Sequence, residues 1–372
     1  MHDLTPIASL FDTGATFMRA EPYGNGHIND TYLAHYDCRG TTVRYIHQRI
    51  NHQVFQHPTR LMENISRVTQ HALQRLLETN HPEPRRHTLT CIPSLDGKAW
   101  AQDSEGQFWR TYPFIERTIA YEQMQTPHQA YEAARCFGEF QQLADDLPGP
   151  PLHETIPDFH HTPRRLHALT QAADQATVER SREAARWVDL ALSFAPDCYP
   201  VVNGLQNGSI PSRVTHNDTK LNNVLLDERT SEGVCVIDLD TTMQGSALYD
   251  FGDMVRTMCP TSRELQQPAE SLGIRLEFFR ALTRGYLQST HSVLVPRELE
   301  LLAFSGKLLA LECGIRFLTD YLQSDIYFKT LYPAHNLDRA RNQFALVRAI
   351  EARLSELEDI VAETITHVSQ EG

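Results

Sequence analysis

The sequence predicts an α+β chain: a small antiparallel sheet carrying one helix, followed by a larger, mainly α-helical part. Three observations predict it. Residues 17–50 read as strands separated by glycine-containing turns. Leu61, Ile65, Val68, Ala72 and Leu76 then recur at helical spacing, which gives an amphipathic helix over roughly 58–79. Beyond the aromatic strand Gln107-Phe-Trp-Arg-Thr-Tyr-Pro-Phe-Ile115, helical periodicity dominates to the C-terminus. The division falls between residues 113 and 118, giving a first lobe of 1–115 and a second of 116–372.

In Tyr23-Gly-Asn-Gly-His-Ile-Asn-Asp-Thr-Tyr32, Gly24 and Gly26 would let a hairpin backbone come close to phosphate. Such a pair alone more often marks a plain turn. Thr42–Gln48 is the next strand, and His81-Pro-Glu-Pro84 stops the helix that follows. Leu95-Asp-Gly-Lys98 is a turn between strands. A helix is expected over 127–144 and a loop over 147–151. His160-His161, beside Pro163 and Arg164, reads as a surface turn. Residues 163–197 are helical and charge-rich. A strong helix spans 298–323, with apolar residues at 301, 304, 308, 311, 315, 318 and 322, and 342–366 reads as one further helix.

The chemistry is concentrated in Val214-Thr-His-Asn-Asp-Thr-Lys-Leu-Asn-Asn-Val-Leu-Leu-Asp227 and Val234-Cys-Val-Ile-Asp-Leu-Asp240. On an α-helix Asp218 and Asn223 would point roughly 140° apart. They converge only from a loop, and the run of His, Asn, Asp and Thr favours side-chain-to-backbone bonding over helix. Val224–Leu226 and Val234–Ile237 are short buried strands joined by a turn, so Asp238 lies at a strand end. This order, His216-x-Asp218-x-x-x-x-Asn223 and then Asp238, is how kinase-like folds place an aspartate beside an attacking hydroxyl with two oxygen ligands for magnesium. Phosphoryl transfer needs positioning and charge neutralisation, and magnesium takes hard oxygen donors. Asp218 is the candidate catalytic residue, and Asn223 and Asp238 the candidate metal ligands. Asp240 is either a second ligand or a turn residue. Lys220 either neutralises a phosphate or faces solvent. His216 and Asp250 support the loop.

The chain has 372 residues, 41% of them hydrophobic and 22% charged, enough for a sizeable core and unlike a disordered chain. A formal charge of −13 argues against broad nucleic-acid backbone binding but not against ATP. The 7 cysteines are scattered with no C-x-x-C pair, which fits reduced thiols in a cytoplasmic protein. No signal peptide is read at the N-terminus, and no apolar segment approaches a membrane span. Oligomeric state is not legible.

These segments resemble the aminoglycoside-phosphotransferase and choline-kinase-like superfamily, which has a bilobal protein-kinase-like fold. Within it they are similar to the N-acetylhexosamine 1-kinases. The likeness is densest in Tyr23–Asn29, Ile210–Asn223, Ile237–Thr241, Tyr249–Asp253, Glu312–Leu318 and Asp325–Phe328. It implies ATP and Mg2+ as co-substrate and cofactor, with transfer of the γ-phosphate to the anomeric hydroxyl of N-acetylglucosamine or N-acetylgalactosamine. It also implies that Tyr112, Phe114 and Ile115 form the hinge at adenine. Gly24 and Gly26 would cover the phosphates, and His27, Asn29, Arg316 and Tyr327 would meet the sugar. Gln48 stands where kinases usually carry a lysine, and Glu63 on the next helix has no lysine partner. Either Gln48 bonds the nucleotide or another cation serves.

Glu312, Arg316 and Asp320 share a helix face by their spacing. Composition alone makes that face an exposed ion-pair row; the resemblance makes it part of the sugar site. Tyr321 and Phe328 read as core. The alternatives are a same-fold kinase for another small alcohol or an aminoglycoside, and an ATP-binding pseudokinase, motivated by the missing lysine.

Overall fold

A computed structural model describes residues 4–24, 26, 28–262, 264–266 and 269–371. After a short helix α1 (Thr5–Ala8), strands β1 (Thr16–Pro22), β2 (Asp30–Cys38) and β3 (Thr41–Arg49) form a meander. Helix α2 (Pro58–Glu78) follows, and then β4 (Ala101–Gln102) and β5 (Phe108–Pro113) complete a five-stranded antiparallel sheet in the order β1-β2-β3-β5-β4. Arg39 and Gly40 both adopt positive φ, 54° and 85°, and Asp37 accepts the Gly40 N–H at 2.9 Å, so the β2–β3 turn matches the twist of its strands. That turn sets the register that pairs Thr31 with Gln48, and across β3 and β5 Gln48 lies opposite Arg110.

The sheet buries small apolar clusters of its own, one of Leu4, Ile7, Phe11, Ala101 and Trp109 and another of Ala8, Ala34 and Tyr36. Helix α2 turns Leu61, Met62, Ile65 and Val68 into the main core instead. Proline at its first turn needs no N–H partner there, which suits the start of a helix.

The remainder is mainly helical: α3 (Pro127–Ala144), α4 (Thr162–Gln175), α5 (Val178–Ser193), α6 (Pro200–Asn207), α7 (Ala247–Met258), α8 (Leu276–Thr290), α9 (Pro296–Glu300), α10 (Leu302–Leu322), α11 (His335–Glu351) and α12 (Leu354–Glu371). Two small sheets interrupt it. In one, β6 (Thr118–Ile119), β8 (Val224–Asp227) and β9 (Gly233–Val236) run in the order β6-β8-β9; in the other, β7 (Arg213–Thr215) pairs with β10 (Met243–Gly245). Helix α10 is buried on nearly every face, because α4, α5, α7 and α11 surround it.

Two expectations are corrected. The 298–323 helix is two, α9 and α10, meeting at Leu301. The single helix expected over 342–366 breaks at Ala352 and Arg353. Apolar periodicity continues across that break, but α11 packs on α10 whereas α12 packs on α8, so the chain turns between partners.

Candidate active site

Strand β7 delivers the chain to the loop 216–223. It is pinned by Arg213, whose guanidinium pairs with Glu298 at 2.9 Å and with Asp145. Asn217 has a φ of 65°, an uncommon conformation for a residue with a side chain. Its cost is met locally. The His216 and Asn217 N–H groups donate to the Asp250 carboxylate at 2.9 and 2.7 Å, and the Thr219 hydroxyl donates to the Asp250 carbonyl at 2.6 Å. Burial pushes the Asp250 carboxyl up in spite of these donors. The Asn217 amide donates to the Thr215 and Thr241 carbonyls. His216 Nδ1 accepts the Asp218 N–H at 3.2 Å, so Nε2 carries the proton and donates to the Ile237 carbonyl at 2.9 Å. One imidazole thus ties the loop to the end of β9.

A 3-10 turn over Leu221–Asn223 then brings Asn223 back. Its Nδ2 donates to the Asp218 carbonyl at 2.8 Å and to Asp218 Oδ2 at 2.9 Å. Lys220 Nζ reaches the same Oδ2 at 2.7 Å, so this lysine faces the aspartate. Burial alone would raise the Asp218 carboxyl; the Lys220 charge and hydrogen bond, aided by His216 and Asn223, hold it below the usual range. About a quarter of the Asp218 side chain remains open to solvent (27%), so a reactant can reach it.

Asp238 closes the constellation. It lies just past β9 with a φ of 60°. Its carboxylate takes no hydrogen bond from the described residues, and burial together with Asp240 and Asp218 pushes it up to about 7. A carboxylate crowded by two others and given no hydrogen-bond donor is unfavourable unless a cation joins it. With Asn223 Oδ1 also uncommitted, the donors are two hard oxygens, which suits Mg2+. Among the described residues no cluster of three or more His, Cys, Asp or Glu side chains is arranged to hold a metal, so the fit rests on the Asn–Asp pair.

Asp240 is not a free ligand. One oxygen pairs with Arg110, which is 1% exposed, and the other accepts from Asn29 Nδ2 at 2.6 Å. Arg110 Nε also donates to Gln48 Oε1 at 3.0 Å, and Gln48 Nε2 donates to Thr31. Gln48 therefore orients a cation that comes from the neighbouring strand. The signal was a single arginine within the aromatic strand, opposite Gln48 once register is known. Asn29, expected at the acceptor, has both amide ends engaged, because its Oδ1 accepts the Asn51 N–H. Glu63 pairs with His153 at 2.8 Å.

Gly24 has a φ of 77°, and both Gly24 and Gly26 face open space. His27 lies outside the described residues. Tyr23 packs edge-on against Phe114, joining the glycine turn to the end of β5. Tyr112 and Ile115 are buried. The Phe114 N–H donates to the Arg44 carbonyl at 3.0 Å and is not on offer to a base.

The row on α10 is not an exposed ion-pair row. Glu312 is buried and accepts from His160 and from the Thr162 hydroxyl, at 2.7 and 2.6 Å. His160 is consequently no surface residue: its other nitrogen faces the Asn217 carbonyl at 3.1 Å. Asp320 is buried and accepts the Tyr327 and Phe328 N–H groups and the Asn336 amide. Arg316 lies over the Phe159 and Phe328 rings, at 5.1 and 5.6 Å. Tyr327 is 60% exposed; Tyr321 is core, and Phe328 is half-buried against Phe317.

The chain is similar to a microcompartment-associated aminopropanol kinase (16% identity, TM-score 0.58, covering 95% of this chain and 96% of that one). It is similar to an aminoglycoside phosphotransferase from Alicyclobacillus acidocaldarius (12%, 0.60, 98% and 97%). It is also similar to a spectinomycin phosphotransferase in complex with ADP and spectinomycin (15%, 0.52, 92% and 95%). These likenesses are of fold. Residues 19–288, well over half of the chain, match the phosphotransferase enzyme family. The protein accordingly belongs to the phosphotransferase enzyme family.

Proposed function

We propose that this chain is an ATP- and Mg-dependent kinase that phosphorylates the anomeric hydroxyl of N-acetylhexosamines, giving the α-1-phosphate. In this reading residues 1–115 hold the nucleotide, and residues 116–372 carry catalysis and the sugar. The observation that carries it is the convergence of Lys220 and Asn223 on one oxygen of Asp218, beside the bare carboxylate of Asp238.

The other oxygen, Oδ1, takes no hydrogen bond from the described residues and remains open to the acceptor. The acceptor hydroxyl donates its proton to Oδ1 as its oxygen forms the new bond to the γ-phosphorus. The bond from that phosphorus to the bridging oxygen breaks, and ADP leaves with the electron pair. An aspartate held below its usual range is a weak base, so its main work is to aim the oxygen in line. An anomeric hydroxyl, more acidic than an ordinary alcohol, asks little more. Mg2+ held by Asn223 and Asp238 would offset triphosphate charge.

The acceptor side favours a sugar over a cationic amine. Glu312 and Asp320, the carboxylates that would attract an ammonium group, are engaged inside the protein, while Arg316 has no ion-pair partner among the described residues. Arg316 and Tyr327 are the proposed sugar contacts; Asn29 holds the glycine turn to Asp240. The test is phosphorus NMR after incubation with Mg·ATP and an acceptor panel. N-acetylglucosamine or N-acetylgalactosamine should give an anomeric sugar phosphate. Phosphorylation of amino alcohols or aminoglycosides alone would replace the sugar with another acceptor, and nucleotide binding without any turnover would mean a pseudokinase.

A further inference from the structure

We propose that Arg165 and Arg316 form an anion subsite in the acceptor pocket, so that the preferred acceptor carries an oxyanion, a carboxylate or a phosphate, away from the hydroxyl that is attacked. This rests on the phosphoryl-transfer reading above and narrows its substrate class.

The two arginines come from different helices and meet at Phe159. Arg316, on α10, lies over the Phe159 ring at 5.1 Å, and Arg165, in the first turns of α4, donates from Nη2 to the Phe159 carbonyl at 3.2 Å. Neither has a carboxylate within ion-pair distance among the described residues, although Glu312 acts electrostatically on both and Asp158 on Arg165. Arg165 Nε is buried with no partner. The nearby carboxylates are committed elsewhere: Glu312 to His160 and Thr162, Asp158 to Arg164, and Asp320 to backbone N–H groups and Asn336. The other arginines around the site are treated differently. Arg110 holds Asp240, Arg213 holds Glu298, and Arg256 holds Asp253. Two half-buried guanidinium groups left together repel each other and leave donors unmet, an arrangement that an arriving oxyanion relieves with charge-assisted bonds. Burial and the Arg316 charge hold Arg165 below its usual range, in keeping with this strain.

The subsite lies next to the chemistry. Phe159 packs against His160 at 4.6 Å, and His160 contacts the carbonyl of Asn217, the residue before Asp218. Tyr327, exposed and within electrostatic reach of Arg165, marks the rim through which a ligand enters.

The experiment compares kcat/KM for N-acetylglucosamine, N-acetylglucosamine 6-phosphate and glucuronic acid, using the full chain with Mg·ATP. At least one acidic sugar should exceed the neutral one tenfold or more, and whichever does identifies the oxyanion. Arg165→Gln should cut that acidic-to-neutral ratio at least tenfold, and Arg165→Lys should restore part of it. A neutral sugar as good as both acidic ones, or a glutamine variant that lowers every acceptor alike, overturns the proposal. If no sugar is turned over, the sugar reading fails. The subsite is then judged by calorimetric titration of sulfate into the chain saturated with Mg2+ and a non-hydrolysable ATP analogue. Binding that Arg165→Gln abolishes supports the subsite, and no binding to the wild type overturns it.

Discussion

Asp218 and Arg110 show how differently a half-open charge and a buried one can serve one site. Asp218 is held by donors on one oxygen while the other stays open, so replacing it removes chemistry more than structure. Asp218→Asn should lower kcat by about 10²–10⁴-fold while nucleotide affinity changes little, as read by coupled assay and calorimetry. Comparable turnover in the variant would exclude the assigned role. Arg110 is the reverse case. Arg110→Met removes the partner of Asp240 and should destabilise the fold by about 3–5 kcal/mol in urea unfolding, because a carboxylate is left buried and unpaired. Adding Asp240→Asn should recover part of that loss. The sequence exposes Asp218, Asn223 and Asp238 because their types and spacing are adjacent in the chain. It hides Arg110 and Arg165, because Asp240 and Arg316, which they meet, lie far away in sequence and are set by strand register and helix packing.

At the scale of elements, the sheet contains a titratable joint. His47 on β3 is 0% exposed, with its ring nitrogens 2.7 Å from the Tyr36 and Thr111 hydroxyls, and burial lowers it from 6.5 to about 4. The unfolded chain protonates this residue below pH 6.5 while the folded chain does not until about 4. The stabilisation is therefore complete above pH 6.5 and is lost as pH falls towards 4, by up to about 3 kcal/mol. Urea midpoints for wild type and His47→Gln, compared between pH 7.5 and 5, should show a shallower fall in the variant; parallel slopes would remove His47 as the cause. Strand and helix identities were legible here. β3, α2, α3 and the β8–β9 hairpin follow from alternation, helical periodicity and turn residues. The break between α11 and α12 was not, because an apolar stripe tells which face is buried but not which neighbour buries it.

For the molecule as a whole, the proposal makes nucleotide and metal a common ligand of distant parts of the chain. Mg·ATP at 100 times its Kd should stabilise the fold by about 2.7 kcal/mol, and EDTA should remove most of that gain in a thermal melt. Asp238→Asn should lose it even with Mg2+ present; an undiminished shift in that variant would place the metal elsewhere.

By itself, the sequence determined the α+β class and singled out Asp218, Asn223 and Asp238 as candidates, since each depends on residue type and short spacing. Only the tertiary structure decided that Gln48 orients a cation supplied by Arg110, that Asp240 and Asn29 face each other, and that Glu312 and Asp320 turn inward while Arg165 and Arg316 meet. The reason is that a charged side chain in a sequence has no fixed sign of effect. Which partner it finds, and how much water it keeps, is settled when elements separated in the sequence pack together.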